Sequence, residues 1–496
     1  MNSVAEDYRS QLSGLAYRNQ AFIGGKYVPA ASGRTFDKVS PINGRLLTTV
    51  AECDREDVER AVTAARTAFD KGSWSRAFPK KRKTVLVKLA ELMMKHRDEL
   101  SLLETLDMGK PIANSRSTDI PASAHTIQWY GEACDKVYDE LAPQRPDSIS
   151  MITREPLGVV AAVVPWNFPL LMACWKIGPA LAAGNSVILK PAEQSPLTAI
   201  RIAELAAEAG LPGGVLNVLP GYGETAGQAL GRHMDVDMVA FTGSTEVGKL
   251  FLRYSGESNM KHVSLECGGK SPNIVFADVP DIDQVAKAAA AGVFYNSGQV
   301  CTAATRLIVD EKIKDKLIDL VGRHAAEWAP GDPLDPKTAM GSMVDKSQMD
   351  RVLDYIEVGR QEGAKLAAGG RQARESTGGY YIEPTIFEAP SNALRIAQEE
   401  IFGPVLTTLS FRSDDEAVKI ANDSIYGLQA NLWTRDITRA HQIARALRAG
   451  TVNINATDGG DVTAPFGGYK QSGIGRDKSL HAFDKYTQLK HTFVQL

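Results

Sequence analysis

Short, continuous apolar runs in this chain are separated by longer segments whose apolar residues recur every three or four positions. Runs of the first kind suit strands buried on both faces of a parallel sheet; segments of the second kind suit amphipathic helices. Phe22 to Val50 is rich in Gly, Pro and β-branched residues and predicts short strands and turns. Helical spacing follows over Asp54–Phe69 and again over Arg82–Leu103. Strands are predicted at Val159–Val164, Ser186–Leu189, Val215–Leu219 and Met238–Phe241. Helices at Ala173–Ala183, Thr198–Ala209, from Glu224 to Leu230 and from Thr245 alternate with them. Such alternation implies a doubly wound α/β sheet.

After Gly268-Gly269 the alternation restarts. Strands are expected at Ser271–Phe276, Arg306–Val309, Val405–Phe411 and Thr451–Ile454, with helices at Ile282–Phe294, Lys312–Trp328 and Asp414–Asn422. This reads as a second α/β domain. The last segment, Phe483 to Leu496, alternates loosely and suggests an extra strand that pairs with another subunit. No low-complexity tract or short repeat interrupts the pattern.

Composition narrows the function classes. At roughly 150 residues per domain, 496 residues allow two to four domains. The 56 basic and 59 acidic residues give a net charge of -3, which offers no attraction to nucleic acid or to an anionic membrane. No apolar run approaches the roughly 20 residues that span a bilayer. Met1 to Gln11 is polar and lacks the apolar stretch of a secretion signal, so a cytoplasmic protein is expected. Five cysteines, odd in number and without a C-x-x-C pair, point away from a disulfide framework and from a zinc site. The eight histidines form no ligand cluster, and no metal is expected.

The candidate chemistry lies at strand ends and glycine turns. Cys301 follows a helix and a glycine-containing turn in N-S-G-Q-V-C-T, where its sulfur can face a cleft. Glu266 ends an apolar strand in S-L-E-C-G-G-K, a place where partial burial would raise a carboxyl toward the range of a general base. Cys267 beside it is a rival nucleophile, although packing at the Gly-Gly junction is its plainer role. Asn167 in P-W-N-F-P follows a strand, and its amide can donate to a developing oxyanion together with the Cys301 backbone N–H. Lys190 and Glu193 in K-P-A-E suit a ribose hydroxyl. Gly243 and Ser244 open a helix whose free N–H groups favour a phosphate. The chain has no G-x-G-x-x-G, and Gly221-Tyr222-Gly223 with Gly227 comes nearest. Taken singly, each residue also has a plain structural explanation: a buried thiol, a solvated strand end, a turn-forming asparagine.

Together these strings resemble one family. P-W-N-F-P, K-P-x-E, F-T-G-S-T-x-x-G, L-E-x-G-G-K, G-Q-x-C, Q-E-E-I-F-G-P and Pro465-Phe466-Gly467-Gly468 occur in the order found in the aldehyde dehydrogenase superfamily and span nearly the whole chain. The resemblance implies that Cys301 attacks an aldehyde, Asn167 stabilises the oxyanion, hydride passes to a nicotinamide, and Glu266 activates water against the resulting thioester. It carries cofactor contacts to Trp166, Lys190, Glu193, Gly223, Gly243, Ser244, Gln348, Glu400 and Phe402, with Glu400 and Phe402 at the nicotinamide half. Cys267 departs from the family, where many relatives have an aliphatic residue. Glu193 should repel a 2′-phosphate, which favours NAD over NADP, while Lys190 leaves some NADP use open. Retention of Glu266 favours hydrolysis over transfer of the acyl group to CoA.

The loop Asn455–Thr463 lines the substrate tunnel in the family, so Asp458 and Asp461 are expected to meet a cationic tail; a solvated D-G-G-D turn is the alternative. The strings at Leu103–Lys110, Gly459–Leu480 and Asp477–His481 are most similar to the subgroup acting on γ-glutamyl-γ-aminobutyraldehyde or 4-guanidinobutyraldehyde. That implies an ω-amino, γ-glutamylamino or guanidino aldehyde of polyamine or arginine breakdown. A broad-range or betaine-type enzyme is the runner-up. A non-catalytic nucleotide-binding structural protein is the alternative of another class, and the intact Cys301, Glu266 and Asn167 argue against it. The family architecture implies a Rossmann-like NAD-binding domain from 1–138 and 157–266, a catalytic domain at 267–465, and a small β oligomerisation part from 139–156 and 466–496, with homodimers or homotetramers expected.

Overall fold

A computed structural model describes residues 8–496. The polar N-terminal stretch through Asp7, part of the segment read for a secretion signal, lies outside the described residues. Among the described residues no helix is long and apolar enough to cross a membrane.

An eight-stranded sheet forms the first layer. Its parallel centre consists of β1 (Val159–Val163), β2 (Ser186–Lys190), β3 (Leu216–Val218), β4 (Met238–Thr242) and β5 (His262–Glu266). The parallel pairings run β3–β2–β1–β4–β5. Chain order therefore reverses between β1 and β4, and such a switch point opens a crevice at the carboxyl ends of the strands. Every residue of β1 and β2 is buried, as their unbroken apolar runs require. Helix α1 (Pro169–Ala183) covers the sheet after β1, and α2 (Thr245–Gly256) follows β4. Ala21–Ile23 and Gly473–Ile474 add antiparallel strands beside β3 and β5.

The second sheet has seven strands, in the order Lys365–Ala368, Thr385–Glu388, Val405–Phe411, Arg306–Asp310, Pro272–Val275, Gln429–Trp433 and Thr451–Ile454. All its neighbours are parallel except the first pair. The chain passes from the first sheet to the second within the six residues after Glu266, through Gly268-Gly269. Gly269 has no room for a side chain, because a Cβ there would lie 2.4 Å from the Cys301 carbonyl oxygen.

Several expected boundaries move. The helix foreseen over Arg82–Leu103 is two helices, Pro79–Lys95 and Arg97–Met108. The polar Lys95-His96-Arg97 interval breaks the apolar stripe, and the His96 ring bonds Glu99 (2.9 Å), one turn into the second helix. Helix α1 begins at Pro169, four residues before its expected start, because proline is preorganised for a first helical position. Glu224–Leu230 is a π-type turn, Gly223–Gly227, leading into Gln228–Arg232.

The terminal strand begins later than expected. Phe483 to Tyr486 lies in a short helix, Ala482–Tyr486, and Thr487–Gln495 pairs antiparallel with Ser148–Pro156 of its own chain. In the resulting three-stranded sheet it is an edge strand, and Leu489 and Phe493 are exposed on it.

Candidate active site

The residues singled out by sequence gather around the crevice of the first sheet. β1 leads into Trp166 and Asn167, β2 ends at Lys190, β4 leads into Gly243 and Ser244, and β5 ends at Glu266. The second sheet brings Cys301 and the segment Glu400–Phe402 to the same place. Glu266 and Glu400 both act electrostatically on the Cys301 thiol.

The loop before Cys301 is held in a strained form. Asn296 and Ser297 have left-handed backbone (φ 52° and 56°), and Gly298 follows at 71°. A side chain at Gly298 would collide with Gly403, 2.1 Å from its carbonyl oxygen. A hydrogen-bond web fixes the geometry. Asn167 Nδ2 donates to the Gln299 carbonyl (2.9 Å), and Asn296 Nδ2 donates to the carbonyls of Asn167 (3.0 Å) and Gln299 (3.2 Å). Gln299 Oε1 accepts from the Val344 N–H (2.9 Å). Asn167 is itself buried, and one of its amide hydrogens remains for a ligand.

Of the five free cysteines Cys301 is the most exposed, half-buried where the other four, Cys267 included, are buried. The difference favours Cys301 over Cys267 as the thiol that meets a ligand. Burial, then Glu400 and Glu266, push the Cys301 thiol up to about 12, while nearby backbone N–H groups of Thr302 and Cys301 pull the other way. With the two carboxyls ionised the thiol holds its proton, and a neighbouring positive charge would favour release.

Glu266 is buried and neither carboxyl oxygen has a hydrogen-bond partner. Burial, then Asp477, hold its carboxyl well above the usual range, against the pull of Lys176, Lys485 and Arg476. A Cβ at Gly467 would stand 2.8 Å from Glu266 Oε1, so the glycine of P-F-G-G leaves the space in front of the carboxyl open. A buried carboxylate with free lone pairs and a raised pKa is a stronger base, able in its ionised form to take a proton from water.

Glu400 Oε1 accepts from the Gly269 N–H (3.0 Å), and its other oxygen occupies the place of a Gly268 side chain, 2.0 Å from where a Cβ would be. Burial raises this carboxyl to about 7. Phe402, with a left-handed φ of 59°, sets its ring against Trp166, edge to face at 5.1 Å. Gln348 donates to the carbonyls of Ile401 (3.2 Å) and Phe402 (2.9 Å), so its amide braces this segment.

At the other end of the crevice Lys190 is buried and donates to the Pro191 carbonyl (2.9 Å), with Glu193 3.7 Å away and partly exposed. Gly223 is open to solvent on its Cβ side. Gly243 is bounded by the Phe241 ring, which would lie 2.5 Å from a Cβ at that position, and Ser244 Oγ caps α2 by accepting from the Val247 N–H (3.3 Å). Thr242 Oγ1 is buried without a partner. A carboxylate and an ammonium at one strand end, a helix start at another and an orphan hydroxyl between fit the hydroxyls and phosphates of a dinucleotide.

Asp458 and Asp461 are exposed on their loop, and Asp461 accepts from the Thr463 N–H (3.0 Å) as in a turn. Both act on Lys478, whose ammonium lies over the rings of Trp175 (5.3 Å) and Phe466 (6.0 Å). Sequence reasoning missed this lysine, the Trp175–Phe466 pair (5.0 Å), and the charges around Glu266. The available signal was Lys176, a lone charge in the apolar face of α1.

Comparison with known proteins accords with this geometry. The sequence pattern of the aldehyde dehydrogenase family matches residues 27–492. The NADP/NAD-dependent aldehyde dehydrogenase PuuC of Escherichia coli (strain K12) is 55% identical over 482 residues, 97% of each chain. An indole-3-acetaldehyde dehydrogenase solved with NAD+ superposes with a TM-score of 0.98 at 58% identity, covering 100% of both chains. The γ-glutamyl-γ-aminobutyraldehyde dehydrogenase of Burkholderia cenocepacia J2315 gives 0.97 at 56% identity over 99% of both. This chain belongs to the aldehyde dehydrogenase family.

Proposed function

We propose that the protein oxidises an ω-amino, γ-glutamylamino or guanidino aldehyde to the carboxylate, through a thioester on Cys301 and with NAD as oxidant. The observation that carries this reading is that Cys301 is the least buried of the cysteines, with Glu266 and Glu400 near enough to act electrostatically on its thiol. The Cys301 thiol gives up its proton to solvent, and the thiolate sulfur adds to the aldehyde carbon. The free amide hydrogen of Asn167 and the Cys301 N–H stabilise the alkoxide. When bound, NAD supplies the hydride acceptor that turns the thiohemiacetal into a thioester. Glu266 then takes a proton from water, the water oxygen adds to the thioester carbon, and the C–S bond breaks to release the acid and the thiolate.

Glu193 and Lys190 would hold the adenosine ribose, the start of α2 with Gly243 and Ser244 the phosphates, and Trp166, Glu400 and Phe402 the nicotinamide half. Gly223 would give the dinucleotide room. Gln348 would serve through the segment it braces. Glu193 supports NAD over NADP, because a carboxylate repels a 2′-phosphate.

The substrate class rests on Asp458 and Asp461 and on the likeness to the γ-glutamyl-γ-aminobutyraldehyde enzyme. The three-part division into 1–138 with 157–266, 267–465, and 139–156 with 466–496 extends the same reading. Homodimers or homotetramers are proposed to form through the exposed edge strand Thr487–Gln495. Five free thiols suit a cytoplasmic site of action. The test is kcat/KM for 4-guanidinobutanal, 3-aminopropanal and hexanal with purified enzyme beside Cys301→Ala. Loss of all turnover in the variant supports the covalent route, and equal efficiency for hexanal removes the argument from charge.

A further inference from the structure

Asp477 is wholly buried between two lysines. Lys176, from α1, donates to its Oδ2, and Lys485, from the short helix Ala482–Tyr486, donates to its Oδ1. Lys176 has no exposed side-chain surface and Lys485 has 11%. Lys485 also reaches the hydroxyl of Ser264 (3.4 Å), two residues before Glu266 on β5 and so on the same face of the strand. Asp477 is fixed from a third side, because its backbone pairs in both directions with that of Phe466, next to the Gly467 that faces Glu266.

With both lysines charged, the charges of this cluster do not balance without Glu266; burial pulls the Lys485 ammonium down, and Asp477 and Glu266 pull it back up. Two ammonium groups and the Asp477 carboxylate leave one positive charge in a site shielded from water. An unpaired buried charge is costly, and a second carboxylate removes it. Glu266 is the carboxyl in range, and both its oxygens lack partners. The other groups that face it are Arg476, whose guanidinium donates to the Gly468 (3.2 Å) and Gly475 (2.7 Å) carbonyls, the thiols of Cys267 and Cys301, and the Tyr486 hydroxyl. Remove Lys485, and Lys176 with Asp477 form a neutral pair, so that an ionised Glu266 becomes the group in excess.

We propose that Lys485 is a positioning residue for the hydrolytic half-reaction: by supplying the second cation on Asp477, it makes the ionised, proton-accepting form of Glu266 the charge-balanced state of the buried cluster. The inference rests on the reading of Glu266 as the base. In that step one water proton passes to Glu266, the oxygen bonds to the thioester carbon, the sulfur leaves as thiolate, and the proton on Glu266 then goes to solvent.

The experiment compares wild type, Lys485→Met, Lys485→Arg and Glu266→Gln by the pH profile of kcat and by the first-turnover burst of reduced dinucleotide. For Lys485→Met the acid limb should move up by about one pH unit, so that near pH 6 kcat falls about tenfold and a burst precedes the slowed steady state. Lys485→Arg keeps the charge and should keep the wild-type limb. Should the methionine variant fail to fold, Lys485→Gln, which retains a donor for Asp477 without the charge, carries the same comparison. A limb that stays in place while the melting temperature drops overturns the proposal and leaves Lys485 a packing residue. Steady turnover by Glu266→Gln would overturn the reading of the base itself. A stalled Glu266→Gln beside an unshifted Lys485→Met would sink the role of Lys485 alone.

Discussion

Asn167 Nδ2 donates to the Gln299 carbonyl, 2.9 Å away and two residues before Cys301, so one side chain anchors the Cys301 loop and leaves its second amide hydrogen for the proposed oxyanion contact.

This double use predicts a graded loss. Asn167→Ala removes the oxyanion donor and loosens the loop, and kcat should fall by about a hundredfold or more. Asn167→Asp keeps the size but turns a donor into an acceptor facing a carbonyl and, later, an alkoxide; it should be at least as impaired. Stopped-flow measurement of the first turnover checks this. A normal first turnover in the alanine variant would remove Asn167 from the chemistry.

Much of this site was readable before the fold. Asn167, Lys190, Ser244 and Glu266 stand at strand ends that the apolar runs already marked, and the strand order places those ends around one switch point. What sequence could not give was pairing between distant buried charges. Asp477 lies 301 positions from Lys176, and no periodicity links them. The brace from Gln348 to Phe402 is likewise a tertiary fact, as is the turn that Asp461 makes with Thr463. The edge strand Thr487–Gln495 was legible as a strand, but alternation alone left its neighbour open; only the family resemblance grouped it with the 139–156 segment in which its partner Ser148–Pro156 lies.

Glu193 should govern the choice of dinucleotide. Its carboxylate is 3.7 Å from the Lys190 ammonium, which stays buried behind it. Glu193→Ser removes the charge that opposes a 2′-phosphate and leaves the lysine to attract it. The ratio of kcat/KM for NADP to that for NAD should rise about tenfold, the effect of roughly 1.4 kcal/mol of relieved repulsion. Paired kinetics with both dinucleotides measure it, and an unchanged ratio would place Glu193 outside the ribose site.

Glu104 should make stability depend on pH. It is buried, its Oε1 has no partner, and burial, then Asp119, push its carboxyl up to about 8. Between the ordinary carboxylate range and that value the folded state holds a proton that the unfolded state has released. Stability from this group is therefore present at low pH and is lost as pH rises through the window. Glu104→Gln keeps the shape without the ionisation. Its melting temperature should match wild type near pH 5 and exceed it near pH 8, read by thermal unfolding at each pH; parallel curves would mean that Glu104 does not titrate in this range.

Asp458, Asp461 and Lys478 set a competition at the rim. Both aspartates are exposed and both act on Lys478, whose ammonium rests on Trp175 and Phe466. On the proposed reading, a cationic aldehyde tail would share the two carboxylates with a cation that the protein already supplies. Replacing both aspartates with asparagine should lower kcat/KM for 4-guanidinobutanal about tenfold and leave hexanal within twofold, since exposed charge pairs contribute up to about 1 kcal/mol each. Lys478→Met should act in the opposite direction, raising efficiency for the guanidino aldehyde while lengthening the apolar surface offered to hexanal. Raised salt should shrink the difference for the guanidino substrate alone, because interactions between exposed charges are screened. If the aspartate variant loses hexanal and 4-guanidinobutanal to the same extent, the loop acts through its shape, and the preference for a charged tail must come from elsewhere in the tunnel.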